Sequence, residues 1–129
     1  MTDNLLNFSK AVREKMLAGD DARLMLLKNQ LSHMDVTTFK HTGCGFYVYY
    51  CVSVDNFDLS SKSHFCIDDV EAALEDEGKL SIDCVLHINN GKIWFFEATV
   101  LGIENECPKT IDKYVLKYRN DNQRELDFP

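Results

Sequence analysis

Leu80-Ser81-Ile82-Asp83-Cys84-Val85-Leu86-His87-Ile88-Asn89-Asn90-Gly91-Lys92-Ile93-Trp94-Phe95-Phe96-Glu97-Ala98-Thr99-Val100-Leu101 is the stretch on which the fold turns. Asn90-Gly91 sits between two alternating apolar runs, the strongest short-range signature of a β-hairpin, because both residues tolerate the left-handed backbone of a two-residue turn. Seating the pair at the turn sets a register. Asn89 faces Lys92, Ile88 faces Ile93, His87 faces Trp94, Leu86 faces Phe95, Val85 faces Phe96 and Cys84 faces Glu97. Alternation along each strand then sorts the side chains onto two faces. Ile82, Cys84, Leu86, Ile88, Ile93 and Phe95 form the aliphatic one. Val85, His87, Trp94, Phe96 and Ala98 form the other, with Asp83, Asn89 and Lys92 around it.

Working towards the N-terminus, Phe46 to Val54 reads as a second alternating strand. Phe46, Val48, Tyr50, Val52 and Val54 share one side, and Tyr47, Tyr49, Cys51 and Ser53 the other. Gly43-Cys44-Gly45 separates it from Val36–His41, a β-branched stretch that also reads as a strand. Before position 36 the period changes. Leu5, Phe8, Val12 and Met16 recur at helical spacing, with Thr2 or Asp3 as a cap and Gly19 as terminator. Asp20 or Asp21 can cap a second helix lined by Leu24, Leu27 and Leu31, with Met25 adding width. Beyond Val54, Asp55 to Ser63 is a polar loop and His64 to Ile67 a short strand. Asp69 to Leu74 reads as a helical turn or two, and Glu75-Asp76-Glu77-Gly78 as an acidic turn. Tyr114 to Tyr118 forms the last strand, and Asn120 to Pro129 is polar and expected to be loose.

Two helices followed by strands predict an α+β domain over 1–119. The helix pair packs on one face of a mainly antiparallel, four- to six-stranded meander sheet, and 120–129 forms a tail. The 129 residues suit one domain with a single core.

Composition narrows the partners. Fourteen Lys and Arg against twenty-one Asp and Glu leave a formal charge of −7, which disfavours nucleic acid and polybasic membrane contacts. No apolar window reaches the length of a spanning helix, and Met1-Thr2-Asp3-Asn4-Leu5 lacks the pattern of a secretory signal. Five cysteines at 44, 51, 66, 84 and 107, an odd number without C-x-x-C, suit reduced thiols in the cytoplasm. Most are flanked by apolar residues and read as buried.

The second sheet face carries the candidate site: Tyr47, Tyr49, His87, Trp94 and Phe96. Aromatic rings with a polar surround have the composition of interface cores. The competing explanation is that the loop from Asp55 to Ser63 folds over them. Glu97 is a misfit, because the register puts its carboxylate beside Cys84 on the aliphatic face. A raised pKa and acid–base work are one explanation. A position at the end of the sheet, paired with Lys, Arg or a backbone donor, is the favoured one, since no companion carboxylate or nucleophile motif accompanies it.

His41-Thr42-Gly43-Cys44 and His64-Phe65-Cys66 offer imidazole and thiol groups of the kind that ligate zinc, and residues two apart on a strand point the same way. Their wide separation is looser than structural zinc spacing, so ordinary histidines and thiols are the expectation. Neither a metal nor a cofactor is predicted. Cys44 between glycines has no assured base or orienting group, and the common nucleotide, metalloprotease and hydrolase motifs do not occur, so no catalytic residue is assigned.

Several segments are familiar in combination: Leu17-Ala18-Gly19-Asp20 with Leu27-Lys28-Asn29-Gln30-Leu31, Thr42-Gly43-Cys44-Gly45-Phe46-Tyr47, Phe65-Cys66-Ile67-Asp68-Asp69-Val70, Leu86 to Ile93 with Phe96-Glu97-Ala98, and Pro108 ahead of Tyr114-Val115-Leu116. Their order resembles a group of small uncharacterised bacterial proteins of about this length. Where that group often has Trp before the proline and Gly after the Glu, this chain has Cys107 and Ala98. The resemblance implies a cytoplasmic α+β protein and transfers no activity. The leading expectation is a non-enzymatic module that binds a protein partner or a second copy of itself, with toxin-neutralising immunity proteins as an analogy of physical profile. The alternative is a small enzyme or ligand-binding domain using Glu97, His87 or Cys44 in a cleft.

Overall fold

The computed structural model describes residues 2–53, 60, 62–75, 80–102, 107–120, 124 and 126. Two helices, α1 (Thr2–Met16) and α2 (Ala22–Gln30), precede a 3-10 turn at Leu31–His33 and seven strands. These are β1 (Met34–His41), β2 (Gly45–Val52), β3 (Phe65–Ile67), β4 (Val70–Leu74), β5 (Ser81–Asn89), β6 (Lys92–Leu101) and β7 (Tyr114–Tyr118). They form one sheet in the order β1-β2-β6-β5-β4-β7, with β3 on β5 beside β4. Every pairing is antiparallel, so the α+β class stands.

The helical stripe behaves as its spacing requires. Leu5, Phe8, Val12 and Met16 are buried in one core with Leu24 and Leu27 of α2 and with Phe46, Val48, Leu86, Ile88 and Phe96 of the sheet. Phe8 meets Phe46 and Tyr114 edge-on. Gly19 takes φ +120 after α1, and Asp21 caps α2 by accepting from the Arg23 amide. Asp3 lies inside the first turn of α1, where its charge complements the helix dipole. Met25 is 51% exposed and adds nothing to the core.

Gln30 locks α2 to the hairpin. Its side chain is fully buried, donates to the Gly91 carbonyl at 2.9 Å and accepts from the Ile93 amide at 2.9 Å. A buried amide with both ends matched avoids the cost of desolvated, unpaired polar groups. Asn90 and Gly91 have φ 55 and 81, the backbone of the anticipated turn. At Gly45 a side chain would collide with the Ala98 carbonyl, so only glycine lets β2 close on β6 there.

Three sequence expectations are corrected. Val70–Leu74 is a strand and not a helical turn. Val70, Ala72 and Leu74 point into the core while β5 and β7 pair on either side, and this long-range burial overrides the helix preference of Glu and Ala. The hairpin register holds only for Asn89–Lys92 and Ile88–Ile93, then slips by one. Trp94 is the extra residue of a bulge, so His87 pairs with Phe95, Leu86 with Phe96, Val85 with Glu97 and Cys84 with Ala98. Of the cysteines, Cys84 is buried and Cys107 half-buried, but Cys44, Cys51 and Cys66 are exposed.

In the tail, Arg124 is held in place. Its guanidinium binds Asp69 and the carbonyls of Met16 and Ala18, and lies 4.5 Å from the Tyr118 ring centroid. Leu126 packs against the core. The acidic turn at 76–78 lies outside the described residues. No helix of the described residues is long and apolar enough to cross a membrane.

Candidate functional site

The bulge at Trp94 decides what the sheet face opposite the helices displays. Adding one residue to β6 swaps the side of every residue after it. Phe96 and Ala98 therefore enter the core, at 0% and 2% exposure, and Phe95 and Glu97 turn outwards. Phe96 thus cannot serve as a surface residue, and Glu97 is no longer a carboxylate stranded among aliphatic side chains.

That face, on which no helix of the described residues packs, is a ladder of rings drawn from neighbouring strands. Tyr49 of β2 pairs with Phe95 of β6, which pairs with His87 of β5, which pairs with Cys66 of β3. Tyr49 stacks on Phe95 at 5.0 Å and His87 on its other side at 4.0 Å, the latter with ring planes nearly parallel at 12°. Tyr47 and Trp94 both approach Phe95 edge-on, at 5.8 and 4.8 Å. Offset stacking and edge contacts are the favoured ring geometries. Trp94 remains 40% exposed, while Tyr47, Tyr49, Phe95 and His87 are half-buried. Both helices lie on the opposite side. The alternative cover, the loop from Asp55 to Ser63, falls mostly on residues 54–59 and 61, outside the described set; Ser60, Lys62 and Ser63 are exposed.

His87 is the hub. Its Nε2 lies 2.9 Å from Glu97 Oε1, its Nδ1 2.9 Å from His64 Nε2 and 3.3 Å from Cys66 Sγ. His64 stacks on His87 at 5.2 Å and meets Trp94 edge-on at 5.5 Å. A carboxylate only accepts, so the Glu97 contact places the His87 proton on Nε2 and leaves the Nδ1 lone pair facing His64 and Cys66. The negative charge of Glu97, followed by burial, raises the Tyr47 phenol above its ordinary value, so Tyr47 stays a neutral hydrogen-bond donor.

Cys66, His87 and Glu97 follow one another as thiol, imidazole and carboxylate, the layout of a thiol nucleophile with its base and orienter. The electrostatics oppose that use. Burial pushes the Cys66 thiol up, and the charges of Asp68 and Glu97 add to the effect. An activated cysteine needs cationic surroundings. The arrangement suits ring stacking, cation recognition and ligation better than nucleophilic attack.

His87 and Glu97 thus come together as the alternative reading required, but Cys44 does not join them. Its sulfur lies 3.9 Å from Thr42 Oγ1 in the β1–β2 turn. His41 meets Phe39 edge-on. Of the two histidine–cysteine pairs, only His64–Cys66 enters a cluster, with His87 as the third member. Phe95 is the residue that sequence reasoning missed. The signal was Glu97 itself, because a carboxylate assigned to an apolar face indicates a slipped register. No family model, curated protein or solved structure matches the chain.

Proposed function

We propose that the chain is a non-enzymatic recognition module whose aromatic sheet face receives a protein segment rich in Lys and Arg. The observation that carries this reading is the contiguous array of Tyr47, Tyr49, Phe95, His87 and Trp94 with Glu97 set among them. Ring faces attract guanidinium and ammonium groups, and a half-buried carboxylate beside them supplies the counter-charge. A net charge of −7 steers cationic partners towards the domain, and it opposes both nucleic acid and a second copy of the same acidic chain. Five free thiols, three of them exposed, suit a reducing compartment, and the proposed location is the cytoplasm.

Trp94 is the only tryptophan, so its fluorescence reports directly on this face. Titrating an arginine-rich peptide into the full chain, with chelator present, is expected to shift that emission saturably; a glutamate-rich peptide of equal length leaves it unchanged. Phe95→Ala is expected to weaken binding at least tenfold. Equal response to both peptides, or full binding by Phe95→Ala, overturns the reading. Sedimentation showing a stable dimer at micromolar concentration, lost in Phe95→Ala, would assign the face to a second copy instead.

A further inference from the structure

We propose that His64 Nε2, Cys66 Sγ and His87 Nδ1 form a three-ligand site for a borderline-soft divalent transition metal, with zinc the best fit, and that Glu97 is the outer carboxylate that positions His87. The inference stands independently of the protein-recognition reading.

The three donor atoms lie within 4.8 Å of one another. Tetrahedral zinc, with bonds of about 2.0–2.1 Å to nitrogen and about 2.3 Å to sulfur, requires N–N and N–S separations of about 3.3 and 3.6 Å. The pairs at His87, 2.9 and 3.3 Å, need to open by a few tenths of an ångström to admit an ion, while the His64–Cys66 pair, within 4.8 Å, closes towards the tetrahedral separation by turning the exposed His64 side chain. The lone pair of His87 Nδ1 faces two potential donors at once, the imidazole of His64 and the thiol of Cys66. It can satisfy only one of them well, whereas a cation turns all three groups into ligands.

Two of the three ligands stand on paired strands. Cys66 and His87 are directly opposed across the β3–β5 ladder, and His64 precedes β3 by one residue, so it shares the side of Cys66. Donation from His87 Nε2 to Glu97 at 2.9 Å fixes both tautomer and ring orientation, as in carboxylate–histidine–zinc arrangements. Binding balances simply. The ion displaces the Cys66 thiol proton to solvent, His64 moves its proton to Nδ1, and His87 keeps its own on Nε2. Soft sulfur with two imidazoles selects zinc-like ions over magnesium or calcium, which prefer oxygen. Three protein ligands leave the fourth position for water or an outside donor, the pattern of open zinc sites.

Cobalt(II) titrated into the full chain tests the site. The expected result is a thiolate-to-cobalt charge-transfer band with visible bands of tetrahedral strength, saturating at one ion per chain and displaced by zinc. His64→Ala, Cys66→Ser and His87→Ala should each abolish the spectrum. His64 and Cys66 are exposed, so their replacement leaves the core intact, and circular dichroism checks the fold of all three. Cys44→Ser and Cys51→Ser, which alter exposed thiols outside the cluster, should leave it unchanged. Glu97→Gln should retain the spectrum and weaken affinity by roughly 10–100-fold, the usual effect of losing an outer-shell partner. A wild-type chain without the charge-transfer band, a spectrum that survives Cys66→Ser or His64→Ala, or equal loss in Cys44→Ser overturns the proposal.

Discussion

Phe95 and Phe96 are neighbours in β6 with the same side chain, yet they belong to different physical worlds. Phe96 is fully buried, 6.1 Å from the ring of Phe46 beneath the helical layer. Phe95 is half-buried on the far side, between Tyr49 and His87. One face of the sheet therefore excludes water with aliphatic and phenyl groups. The other assembles rings, an imidazole pair, a thiol and a carboxylate that remain within reach of solvent. The contrast shows that burial, rather than residue type, separates the stabilising face from the accessible one, and that a single bulge residue sets the division along β6.

Paired substitutions give the sharpest test of that contrast. Phe96→Ala leaves a cavity that the layered core cannot close and should cost about 3–5 kcal/mol by denaturant unfolding. Gln30→Leu on the same side strands the Gly91 carbonyl and the Ile93 amide, at about 1–3 kcal/mol for each unsatisfied group; the loss should appear as faster amide exchange around the hairpin turn. Phe95→Ala removes ring contacts with Tyr47, Tyr49, His87 and Trp94, at about 0.2–1 kcal/mol for each cross-strand pair, and should cost less than Phe96→Ala, while weakening the response of Trp94 to the cationic peptide at least tenfold. Comparable losses at 95 and 96 would break the distinction between the faces.

The smallest effect lies away from both. Arg23 holds Asp21 at a pKa of about 2, below its ordinary 3.8, through side-chain and backbone hydrogen bonds at the start of α2. The depressed folded-state value means this cap contributes fully above pH 4 and fades as pH falls towards 2. Asp21→Asn should flatten the acid limb of the helical circular dichroism signal in that window and leave neutral-pH stability nearly unchanged. A steeper acid limb in the variant would contradict the assignment.

Much of the helical layer was legible because its signals are local. The spacing of Leu5, Phe8, Val12 and Met16, the glycine at 19 and the aspartate at 21 each act within a few residues. Tyr47 and Tyr49 were sorted correctly for the same reason, since alternation along one strand needs no partner. Val70–Leu74 was misread because Ala and Glu favour a helix until strands on both sides claim their backbone groups. The His64-Phe65-Cys66 spacing was visible, but its third member was not, because His87 comes from a strand 21 residues later than Cys66.

From the chain alone come the order of the elements apart from Val70–Leu74, the turn at Asn90-Gly91, the negative net charge and the residue types able to bind rings or ions. All are properties of short windows or of composition. Tertiary structure decided which side each ring of β6 faces, that Glu97 supports His87, and that one histidine–cysteine pair gains a third donor while the other does not. The first two outcomes depend on where β6 slips past β5 and the third on how β3 pairs with β5; both registers are settled by the whole core competing for burial, not by any stretch of sequence read on its own.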